Sequence, residues 1–161
     1  MQGITSNTVM IIHTHPWGGY PFPSPADFFG LASFTSNFQM NYIIGYDGTK
    51  YVMVVNSYSQ LQAFVNANPN SISANGAFEN SSALGRQSND MRALLITQGY
   101  SADEAYERTL AYLMKQAGVT LVKAGAGSDT FKKIGIRQKI NPDGTPKINA
   151  NGDPVFENAD C

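Results

Sequence analysis

The sequence predicts an α/β domain: a small mixed sheet flanked by helices, followed by a helical segment and a β-rich tail. Three observations carry that prediction. Short β-branched and aromatic runs gather ahead of Asn56, stretches with helix start and stop residues lie between Asp90 and Gly118, and Asn/Asp-Gly turn clusters follow Asn141. The chain divides accordingly into residues 1–70, a compact core; 71–130, a loop and helical segment; and 131–161, a turn-rich tail.

Taken in order, residues 8–15 predict a short buried strand, because Val9, Met10, Ile11 and Ile12 form a continuous apolar run that Pro16 ends. A loop, PWGGYPFP, follows. Residues 24–36 predict a helix, with Ser24 at the N-cap, Pro25 at the first helical position and Asp27 at the third. MNYIIGYDGTKYVMVVN reads as a hairpin around Asp47-Gly48, a pair suited to positive φ. Leu61, Phe64 and Val65 give residues 57–67 helical spacing, whereas the polar run at residues 66–90 predicts a loop. Two helices are then expected: residues 90–98, stopped by Gly99, and residues 102–117, stopped by Gly118. The second carries a capping box, Ser101 with Glu104, and a core-facing stripe of Tyr106, Leu110, Leu113, Met114 and Ala117. VTLVKA predicts a strand, and the turn clusters NPDG and NANGDP predict a loose β-meander or extended tail.

Composition excludes several function classes. At 161 residues, with 42% hydrophobic and 14% charged residues, the chain describes one globular domain with a sizeable core. Its net charge is −1 and its basic residues are scattered, so no nucleic acid is expected as a partner. No apolar run approaches the roughly 20 residues of a spanning helix, and no signal peptide is visible, so neither a membrane nor export by a cleaved leader is expected. The expected location is the cytoplasm, or delivery as part of a larger protein. Cys161, the single cysteine, is read as an inert tail thiol.

Chemistry concentrates in HTHPWGGYPFPSPAD. His13 and His15 are the two histidines of the chain, and at i and i+2 of a strand they leave the same face, within reach of one ion. If the helix opening at Ser24 folds back over the strand end, Asp27 adds a carboxylate, and two imidazoles plus one carboxylate with an open position match a catalytic zinc. The competing account leaves Ser24 and Asp27 as ordinary helix-capping residues. It leaves the histidine pair unexplained.

The string H-T-H-P followed by P-S-P-A-D resembles the signature of the JAMM/MPN+ (Mov34/JAB-type) zinc metalloproteases, including their bacterial, phage-tail and polymorphic-toxin relatives. The eight residues 16–23 exceed the family's usual spacing by one, which a loop absorbs. The similarity extends over roughly residues 8–56 and implies a partial JAMM, cytidine-deaminase-like core. It further implies that His13, His15 and Asp27 ligate Zn2+, that Ser24 supports the oxyanion, and that a protein or peptide is the substrate.

One family feature has no counterpart. The family's general base is a glutamate upstream of the histidines, and here no acid precedes His13, the first glutamate being Glu79. Three expectations follow: truncation or processing from a larger precursor, recruitment of Glu79 or another later acid, or a non-catalytic interaction module. An open sheet edge left by missing strands would then pair with an upstream segment or another chain. Barrel amidohydrolases, which also start with H-x-H, need about 250 residues and later histidines that this chain lacks. Serine and cysteine peptidases fail for want of a third histidine.

Overall fold

The computed structural model describes residues 7–160, so Cys161 and its reading as a tail thiol lie outside the described residues. Four largely apolar runs and a short Lys-Lys segment build a five-stranded mixed sheet: β1 (Met10–Thr14), β2 (Met40–Ile44), β3 (Lys50–Val55), β4 (Val119–Ala124) and β5 (Lys132–Lys133), in that spatial order. β1 runs parallel to β2, with His13 opposite Ile43, and every other pairing is antiparallel. Four helices accompany it: α1 (Pro25–Gly30), extended by a 3-10 turn at Leu31–Ser33, α2 (Tyr58–Ala67), α3 (Ala83–Thr97) and α4 (Ala102–Gln116). A second sheet pairs β6 (Ile136–Gln138) with β7 (Phe156–Asn158). The architecture is therefore mixed α/β, and no helix among the described residues is long and apolar enough to cross a membrane.

Period-two alternation puts Ile43, Tyr51, Met53, Val119 and Leu121 into one core, where they pack with Phe28 and Leu31 of the α1 region, Leu61 of α2, and Leu110 and Met114 of α4. The i, i+3, i+4 spacing seen in the sequence is thus the spacing that buries these helices. Inside this packing Glu107 accepts hydrogen bonds from Tyr51 and, at 2.7 and 2.9 Å, from Lys123, joining α4 to both central strands.

Three expected details are corrected. β1 is an edge strand, not a buried one: Met10 and Ile12 are 42% and 59% exposed, and only the Ile11–His13 side faces inward. A continuous apolar run does not distinguish two covered faces from one. The helix expected to reach Ser36 stops being α-helical at Gly30. The loop expected at residues 66–90 ends early, because Ser82 caps Gly85 N–H at 2.9 Å and α3 starts at Ala83. The turn-rich tail is β-structured as expected and packs on the helices: Ile136 joins Leu95 and Ala105 in a small core, and the Gln98 side chain bonds Pro154 O and Phe156 N–H, each at 2.9 Å.

One turn is used four times along the chain, twice in the tail. In residues 45–49 the Gly45 N–H donates to Thr49 O and the Gly48 N–H to Gly45 O, with Gly48 at φ +80°. Residues 73–77, 141–145 and 149–153 repeat both bonds, with Gly76, Gly144 and Gly152 at the left-handed position. This is a type I turn closed by a left-handed residue, which explains why Asn/Asp-Gly marks each site.

Gly85 has a different reason to be glycine: an added Cβ would lie 2.0 Å from the Glu79 carbonyl oxygen. Gly85→Ala is expected to lower stability by about 1–3 kcal/mol, the usual range for forced overpacking. A urea-unfolding midpoint unchanged by the substitution would contradict that contact.

Candidate metal centre

β1 supplies the histidines. Its pairing continues one residue past Thr14, where the His15 N–H donates to Ile44 O at 2.9 Å, so His13 and His15 both project toward the face that α1 covers. α1 is held by its N-terminus: Ser24 and Asp27 form a reciprocal capping box, and Ala26 N–H donates to Gly76 O in the 73–77 turn. The box places the Asp27 carboxylate between the rings, with Oδ1 3.2 Å from His13 Nε2 and Oδ2 3.3 Å from His15 Nε2. The two Nε2 atoms are 3.2 Å apart.

These separations can be tested against a metal. Tetrahedral zinc, with ligands at about 2.0–2.1 Å, separates its donors by roughly 3.3 Å. The Nε2 pair has nearly that spacing, each nitrogen has it to a different Asp27 oxygen, and one ligand atom from each residue lies within 4.8 Å of the others, so His13, His15 and Asp27 form a group able to hold a metal ion. Outer contacts agree. His15 Nδ1 lies 3.0 Å from Tyr20 O, a bond in which Nδ1–H donates, so Nε2 is the nitrogen that binds Asp27 when protonated and offers its lone pair once that proton is lost.

Electrostatics follow from the same contacts. Burial pushes the Asp27 carboxyl up, but hydrogen bonds from His13, His15, the Ser24 N–H and the Ser24 hydroxyl outweigh it and hold the group well below the usual carboxylate range. The Asp27 hydrogen bond raises His15 above its ordinary value against the opposing effect of burial. The centre is thus an anion between two imidazoles, the charge pattern that favours a cation in their place.

Of the residues singled out in the sequence, the fold brings His13, His15, Asp27 and Ser24 together. The Ser24 hydroxyl donates to Asp27 Oδ2 at 2.7 Å and accepts from Asp27 N–H at 3.1 Å. Glu79 stands apart from this group: its carboxylate accepts from the Ser81 hydroxyl at 3.1 Å and its carbonyl from Ser82 N–H at 2.9 Å.

Sequence reasoning missed the wall beside the triad. Tyr20 stacks on Phe22 at 4.9 Å, Phe22 meets Tyr106 of α4 at 4.6 Å, and the Arg92 guanidinium of α3 lies 5.2 Å from the Tyr106 ring. Tyr106 was visible as part of the helical stripe of α4, but Arg92 carried no signal, since its meaning depends on α3 packing against α4. This wall also fixes the loop whose Tyr20 carbonyl orients His15.

No family model, curated protein or solved structure matches the chain.

Proposed function

We propose that the chain is a zinc-dependent peptidase or isopeptidase of the JAMM kind. The observation that carries this reading is the triad itself: the two Nε2 atoms lie 3.2 Å apart, each is 3.2–3.3 Å from one oxygen of the Asp27 carboxylate, and Tyr20 O holds the His15 Nδ1 proton. A zinc ion, when bound, supplies Lewis acidity and activation of water. The chain's own residues do the rest. His13 Nε2, His15 Nε2 and one Asp27 oxygen hold the ion; Tyr20 O keeps the His15 Nδ1 proton in place; Ser24, turned from Asp27 toward the substrate carbonyl, donates to the developing oxyanion. An acid outside the triad moves the proton to the leaving amine. The deciding experiment compares cleavage of peptide and isopeptide amides by zinc-loaded and chelator-treated protein; equal rates would sink the reading.

Ser24 can be probed separately. Ser24→Asp is a poor test, because it sets a second carboxylate where a hydroxyl now donates to Asp27 Oδ2 at 2.7 Å. Ser24→Gly is better, since glycine at an N-cap costs only about a few tenths of a kcal/mol. With fold and metal content unchanged, kcat is expected to fall by about 10²–10³, the range for losing one oxyanion donor. An unaltered kcat would leave Ser24 a helix cap alone.

The outer edge of β1 favours a second reading, an interaction module that pairs with another polypeptide. Val9, Met10 and Ile12 are exposed there, and no described strand lies beyond them. Zinc-loaded protein that cleaves no amide but forms dimers or captures an added strand by β1 would favour it.

A further inference from the structure

Two adjoining clefts lie beside the triad. The smaller, about 210 Å³, is bounded by His15, Gly19 and Pro23. The larger, about 380 Å³, extends to Arg92, Asp103 and the 75–77 turn. Tyr20, Phe22, Ser24 and Tyr106 line both, so a chain bound at the triad runs over this aromatic wall into the larger cleft.

Arg92 is the cation of that cleft and has no counter-ion among the described residues. It makes no ion pair or hydrogen bond with another described residue; its contact is the Tyr106 ring at 5.2 Å, and its Nε is fully buried without a partner. The Tyr106 hydroxyl makes no hydrogen bond within the described residues either. Asp103, the other charge lining the cleft, is exposed in the first turn of α4 and is not paired with Arg92. The guanidinium is held over the aromatic ring with its Nε desolvated and no carboxylate of the described residues on its fork, an arrangement that an incoming anion would strengthen. The planar fork fits a carboxylate, and a neighbouring phenol adds a donor.

We propose that Arg92, with Tyr106, is the specificity-determining site for a carboxylate on the peptide substrate, either an acidic side chain near the scissile amide or a free C-terminus. The inference rests on the triad being the reaction centre, because the cleft gains its meaning from reaching Ser24. It refines the substrate class from peptides in general to acidic ones.

The test titrates three probes, acetyl-Ala-Glu-Ala-amide, acetyl-Ala-Gln-Ala-amide and acetyl-Ala-Gln-Ala with a free carboxylate, into the full chain with and without one equivalent of zinc. Binding is followed by NMR through backbone amides around Arg92 and Tyr106 and through the sheltered Arg92 Nε–H. One acidic probe is expected to bind about tenfold more tightly than the neutral one, as charge-assisted hydrogen bonds imply; which one identifies the source of the carboxylate. Arg92→Gln should erase that preference, and Arg92→Lys should restore part of it, with unchanged amide spectra showing that both variants are folded. Equal binding of all three probes, no binding of any, or a preference that survives Arg92→Gln would overturn the proposal. Because the metal-free titration reads anion recognition alone, its failure is separate from failure of the zinc reading, which metal content decides.

Discussion

His13→Ala and His15→Ala are each expected to abolish metal binding, while the parent protein, freed of chelator, carries about one zinc per chain. Neither imidazole has a substitute in the sequence, and among the described residues no further His, Cys, Asp or Glu joins the cluster. The loss in affinity should exceed the roughly 10–100-fold that removing an outer partner of a ligand costs. Elemental analysis and competition with a chromophoric chelator measure both quantities. A folded parent that takes up no metal, or a His13→Ala protein that still binds one equivalent, would end the assignment.

Acidity gives the same centre a second signature. His15 is raised above its ordinary 6.5, so in metal-free protein its stabilising contribution is complete below about pH 6.5 and fades as pH rises through the folded value. Asp27 is held far below its ordinary 3.8, so its contribution is complete above about pH 3.8 and fades only as pH falls through its folded value. Both are present between those limits. Metal binding needs the His15 proton removed, so zinc affinity is expected to rise with pH, by up to about tenfold per unit below the His15 pKa. The increase in Tm on adding zinc should therefore be larger at pH 8 than at pH 5.5. An equal increase at both values would mean that His15 does not exchange its proton for the metal.

Much of the core was legible in the sequence because its signals are local. Ser24, Pro25 and Asp27 announce a helix start within four residues, and the structure forms the same reciprocal cap. Asp47-Gly48 announces the hairpin by its need for positive φ, and Ser101 with Glu104 announces α4. The same locality made the candidate metal centre readable, since its three residues come from one strand end and the helix turn after it.

What escaped the sequence is set by contacts between distant residues. Gly85, ordinarily a loop signal, is inside α3 because Glu79 O approaches too closely for a side chain, so the start of that helix was hidden. Val9 and Ile12 read as core until the pairing shows β1 at an edge. The tail seemed loose because its repeated turn is a ladder only once Lys139, Lys147 and Val155 exchange backbone bonds. Arg92 gains a role only when α3 packs on α4 and carries it to Tyr106.

If the centre hydrolyses amides as proposed, the proton-transfer group decides its rate. Glu79 is occupied with Ser81 and outside the triad, so Glu79→Gln is expected to change the hydrolytic rate of zinc-loaded protein by less than about twofold, against the 10²–10⁴ that loss of a positioned general base costs. If no acid is positioned within the chain, small bases in solution can take its place. The rate should then climb linearly with the concentration of acetate or imidazole buffer at fixed pH and ionic strength, because an unanchored base lacks the effective molarity of a positioned one. Addition of a polypeptide that docks on β1 and carries a glutamate to the triad should remove the buffer dependence and raise the rate by about 10²–10⁴. A buffer-independent rate that collapses in Glu79→Gln would instead make Glu79 the base and require the residues around Ser81 to rearrange when substrate binds.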